Sequence, residues 1–118
     1  MQKLYVVVPT AGRTPEQVME IREQVCSDVE EALMQDIELL LPTEGIEGVA
    51  AEVDAVSNAN IVVIMNDAMY DKVCRVCGFV ASEYVDYGVY GEDWVRSIVE
   101  QRRSERAGEA TTDELIVE

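Results

Sequence analysis

With 118 residues, 24 acids against 9 bases and a formal net charge of −15, the chain has the size of one domain and no basic stripe for a nucleic-acid backbone. No apolar run approaches the ~18 residues that a membrane span needs, and three cysteines in a chain without a secretory apolar region predict a reduced, cytoplasmic protein. Twelve of the acids against one base, Arg22, fall between Glu16 and Asp54, a field that repels anions or presents carboxylates as a DNA mimic does.

The opening run Leu4-Tyr5-Val6-Val7-Val8 is apolar at every position, as in a parallel strand covered by helices on both faces. Pro9 ends it. Thr14-Pro15-Glu16-Gln17 then supplies a capping hydroxyl, a proline for the first helical position and a glutamine to close a capping box. The recurrence of Val18, Ile21, Val25, Val29 and Ala32/Leu33 carries that helix to about Leu33. Free N–H groups at its start would face the crevice above the strand, where α/β sheets bind ligands, and Arg13 stands in the same turn. Ile37 to Leu41 reads as a short strand closed by Pro42, Val49 to Val56 as a brief helix broken by Ser57-Asn58, and Ile61 to Met65 as a second buried strand.

Asn66-Asp67 opens onto the same crevice and caps a helix over Ala68 to Tyr87, with an apolar stripe of Val73, Val76, Val80 and Tyr84. Glu83 falls beside that stripe, where it either reaches a crevice or turns to Lys72 or Arg75. Cys74-x-x-Cys77 has the spacing of a redox or zinc pair, but without a histidine or a second pair it reads as small core thiols, and no metal and no cofactor are expected. A break at Tyr87 to Gly91 leads into a helix from Glu92 that Gly108 ends; Leu115-Ile116-Val117 beyond it is an added strand or a docking segment. Together the elements predict an α/β, three-layer (Rossmann-like or flavodoxin-like) fold, a small parallel sheet of about four strands flanked by helices. One domain would cover 1–107, followed by an acidic tail over 108–118.

Tyr5-x-x-x-Pro9-x-x-Gly12, Leu40-Leu41-Pro42 and the spacing of Glu52 and Asn60 resemble, over roughly residues 4 to 91, the small phage and bacterial members of the nucleoside 2-deoxyribosyltransferase-like superfamily. The resemblance implies a nucleoside- or nucleotide-binding protein that cleaves or transfers an N-glycosidic bond. Glu83 would stand for the family's nucleophile, with Glu52 or Asp67 as partner carboxylate and Tyr5 orienting them. Pro9, Thr10, Gly12, Arg13, Thr14 and Asn66 would hold the ligand and its phosphate. Val8 stands where the family usually has a glycine, Asn60 replaces an aspartate, and Glu83 comes several residues late. These departures suit a degenerate member that only sequesters a signalling nucleotide. The loop Thr10 to Thr14 is also similar to the flavodoxin phosphate loop, although Tyr70 alone is near enough to cover a flavin ring. Tyr84, Tyr87, Tyr90 and Trp94 give an aromatic density that suits a homo-oligomer contact.

Overall fold

β1, Gln2–Val7, alternates its side chains between two apolar layers, which is why the sequence carries no polar position after Lys3. Leu4, Val6 and the adjoining Val8 face one layer; Tyr5 and Val7 face the other. β2 (Ile37–Leu39), β3 (Ile61–Ile64) and β4 (Val89–Gly91) join it in the order β2-β1-β3-β4, with every pairing parallel. The computed structural model describes residues 1–84 and 88–117, and the side chains of 1–83 and 88–107.

α1 (Pro15–Leu33) and α4 (Glu92–Val117) cover one face of the sheet, where Val18, Val25 and Val29 meet Val95 and Val99 over Val6 and Val63. α2 (Val49–Asn58) and α3 (Lys72–Tyr84) cover the other, where Val56, Cys77 and Ala81 pack on Tyr5 and Val62. The predicted three layers and four-stranded parallel sheet are thus present. The chain passes from β1 to β2 on one side and from β2 across to β3 on the other, so the direction of winding switches at β1.

The predicted capping box forms at the start of α1: the Gln17 N–H donates to Thr14 Oγ1, and the Thr14 N–H donates to Gln17 Oε1. Four expectations need correction. β2 stops at Leu39 rather than Leu41, because the chain turns out of the sheet ahead of Pro42, which has no N–H to give a ladder. α2 continues through Ser57 to Asn58, whose side chains bond back to the Val53 and Asp54 carbonyls. Asn66–Tyr70 is a 3₁₀ turn, and Asp71 caps α3 by accepting from the Val73 and Cys74 N–H groups. α4 runs through Gly108 to Val117, a lone helical glycine costing only about 1 kcal/mol relative to alanine.

α3 also lies rotated from its predicted stripe. Cys74, Cys77 and Ala81 face the sheet, while Val76 is 45% and Phe79 66% exposed. Small side chains let the helix approach Tyr5 and Val62 closely; Val73 and Val80 of the predicted stripe pack half-buried against the same cluster, while Val76 and Phe79 are left outside. Tyr87 lies outside the described residues, as does the side chain of Tyr84; Tyr90 and Trp94 stack on one another with ring centroids 4.1 Å apart. No helix among the described residues is long and apolar enough to cross a membrane.

Candidate functional site

The shortness of β2 creates the site. Lys3 and Val7 give their carbonyls to the β3 side and Leu4 gives its carbonyl to Leu40 N, so by alternation the Val6 carbonyl points to the edge that β2 no longer reaches. Arg22 fills this notch. Its Nε donates to Val6 O at 3.4 Å and its Nη2 to the Tyr5 hydroxyl at 3.2 Å, with the guanidinium carbon 5.3 Å from the Tyr5 ring centroid. Arg22 thereby crosses from the α1 layer to the α2 layer. On the far side its Nη2 lies 3.6 Å from Glu52 Oε1, which also accepts from the Tyr5 hydroxyl at 2.9 Å.

Burial drives the Tyr5 phenol well above its usual pKa, and the adjacent Glu52 carboxylate adds to that against the opposing pull of Arg22. Tyr5 is therefore a fixed proton donor to Glu52. Both contacts use Oε1; among the described residues no protein donor reaches Glu52 Oε2. Among the described residues no buried side-chain oxygen or nitrogen is left without a partner, and the Glu52 side chain keeps 15% exposure.

Glu52 borders a crevice of about 580 Å³ that is also lined by Val8, Thr10, Arg22, Pro42, Ile46, Val49, Asp71 and Val73, among others. Its walls come from the carboxyl end of β1 and the starts of α2 and α3, where ligands bind in open α/β sheets. The loop before α2 is tied down by Thr43, which donates to Asp54 Oδ2 at 2.6 Å, and it turns at Gly48, whose φ of 67° excludes most side chains. A smaller space of about 230 Å³, bordered by Arg13, Pro15 and Val18, shares Thr10 and Arg22 with the crevice.

Of the residues predicted for a site, Tyr5, Glu52 and Thr10 come together here. Arg13 does not stand free: it donates to Pro9 O and to Asp67 Oδ2 at 2.8 Å, tying the loop after β1 to the loop after β3. Asp67 is thus occupied by that pair. Gly12 takes a positive φ of 75° in the turn closed by the Arg13 N–H on Thr10 O. Pro15 and the capping box take up most N–H donors of α1 that were expected to face a phosphate. Asn66 binds Glu92 and Asp93, anchoring the start of α4. Glu83 is exposed near the end of α3, some 16 Å along the helix from Lys72, and does not border the crevice.

Arg22 and Asp71 were missed. Arg22 sits at the spacing of Val18, Val25 and Val29, and a lone cation on the apolar face of an acidic helix is a sign of a buried partner. Asp71 gave no comparable sign, since its place depends on where α3 begins. The cysteines behave as core thiols: burial, with Asp71 for one and Glu52 for the other as the leading charge, pushes Cys74 up to about 12 and Cys77 to about 11. Among the described residues no acid, cysteine or histidine cluster could hold a metal ion.

Fold and site together define a three-layer α/β protein with a carboxylate-bearing crevice at the switch point of its parallel sheet. No protein-family model, no curated protein and no solved structure matches the chain.

Proposed function

We infer that the crevice binds a nucleoside-like small molecule and that Glu52 acts on its N-glycosidic bond. The observation that carries this reading is the Glu52 carboxylate, held through Oε1 by Tyr5 and Arg22 in a side chain that borders the crevice. Cleavage of an N-glycosidic bond passes through a cationic, oxocarbenium-like sugar, which a fixed carboxylate stabilises or attacks. Asp71, whose Oδ1 caps α3, is the second carboxylate bordering the same space, and water entering the open crevice supplies the proton that the departing base takes up. The apolar walls Val8, Ile46, Val49 and Val73 suit the faces of a base and a sugar. Arg22 and the Thr10 loop border the adjoining space, where a 5′-phosphate would sit.

Incubation with nucleosides and nucleoside 5′-monophosphates should release free base, detected by chromatography. Glu52→Gln, which preserves an acceptor for Tyr5, should abolish release while leaving the fold intact. A second reading, sequestration without turnover, draws on the separation of Glu83 from the crevice and the pairing of Asp67 with Arg13. It predicts a rise in melting temperature with ligand and no product. Neither product nor stabilisation with any nucleoside or nucleotide would overturn both.

A further inference from the structure

α3 carries an outward stripe that no other described residue covers. Lys72, Val76, Phe79 and Glu83 recur at spacings of four, three and four, directly opposite the buried Cys74, Cys77 and Ala81. Val76 and Phe79, at 45% and 66% exposure, are large apolar groups where a solvated helix would carry polar ones. Met69 and Tyr70 in the turn before α3, and Val89 on β4, are further exposed apolar side chains to one side of the stripe. Met69 and Val89 border one groove of about 400 Å³ with Arg75 and Gly78. In a chain of net charge −15, α3 holds two bases, Lys72 and Arg75, against one acid, Glu83. It is the helix on which a strongly acidic partner meets no repulsion.

We propose that a second copy of this chain covers the stripe, the two α3 helices packing antiparallel about a twofold axis between Cys77 and Gly78. The sequence of the stripe is self-complementary in that arrangement and in no parallel one. Residue numbers that face each other sum to a constant, so Lys72 meets the partner's Glu83, Val76 meets the partner's Phe79, and both pairs repeat across the axis. A parallel pairing would set Lys72 against the partner's Lys72 and Glu83 against the partner's Glu83. Each exposed aromatic offers ~150–250 Å². With the exposed part of Val76, the stripe itself brings on the order of 200 Å² of apolar surface per copy, well under the ~800 Å² per partner of a standard interface. The contact is therefore a modest, concentration-dependent dimer. Its Phe79 and Glu83 end lies at the other end of the strands from the mouth of the crevice, while Lys72 stands between Asp71 and Val73 of the crevice wall.

Sedimentation equilibrium over a range of concentrations tests this on the full chain. The mass should rise toward twice the 13.1 kDa of one chain. Phe79→Glu should hold it at the monomer value with unchanged circular dichroism. Lys72→Glu and Glu83→Lys should each weaken association by at least about tenfold, because each sets two like-charge contacts across the axis. The double exchange Lys72→Glu with Glu83→Lys restores opposite charges and should restore the dimer. A monomer at all concentrations, a dimer unaffected by Phe79→Glu, or a double exchange no better than either single change would overturn the proposal.

Discussion

Arg22 is the residue on which the candidate site turns, and its energetics follow from burial. A guanidinium taken out of water is retained only with partners, and here the Val6 carbonyl, the Tyr5 hydroxyl and Glu52 share that task. Removing the cation leaves a carboxylate at 15% exposure with no countercharge and a β1 carbonyl with no donor. Arg22→Met, which keeps most of the side-chain volume, should cost about 3–5 kcal/mol in urea unfolding. Paired with Glu52→Gln the loss should be smaller than the sum of the two single changes, since the second substitution removes the stranded charge. Additive losses would mean that Arg22 and Glu52 do not act as a unit.

At the scale of the element, α3 separates hydrophobicity from size. A reading by apolar periodicity favours Val73, Val76 and Val80 as the buried face, because valine outranks cysteine and alanine in most ordering of side chains. The sheet instead accepts Cys74, Cys77 and Ala81 at its centre, with Val73 and Val80 half-buried beside them and Val76 outside, because the space beside Tyr5 is shallow. Ala81, with no exposed surface, has no room to grow, so Ala81→Leu should destabilise the protein by roughly 1–3 kcal/mol. Val76→Ala should change the unfolding free energy of the monomer by less than ~0.5 kcal/mol. Equal effects at the two positions would return α3 to the orientation predicted from its periodicity.

The same contrast explains what could be read from the chain. β1, β3 and the start of α1 were legible because their signals are local: an unbroken apolar run, a proline, a hydroxyl and a glutamine at fixed spacing. The Tyr5–Glu52 bond joins residues 47 positions apart, and Arg13–Asp67 joins residues 54 apart. Such pairings depend on the relative placement of whole strands, which no window of sequence contains. Glu83 was placed beside a stripe of Val73, Val76, Val80 and Tyr84, but which way Val76 and Glu83 face depends on how the helix sits on the sheet, and both are exposed.

Across the whole molecule, buried weak acids couple global stability to alkaline pH. Cys77 and Cys74 ordinarily titrate near 9 and are pushed to about 11 and about 12 by burial, and Tyr5 is raised in the same sense. Above pH 9 the unfolded chain has released protons that the folded chain still holds, so stability falls as pH rises from about 9 toward 12. Thermal unfolding followed across that range should show a steadily lower midpoint, with a shallower decline in Cys77→Ala. A flat profile would mean that these groups are open to solvent.

The three-residue length of β2 has a corollary for how such a protein could be silenced. Extending that strand past Leu40, with a residue that carries an N–H in place of Pro42, would seal the opening beside Val6 with an ordinary ladder bond and evict the guanidinium from between the layers. The sheet would gain regularity, and the carboxylate behind it would lose its anchor.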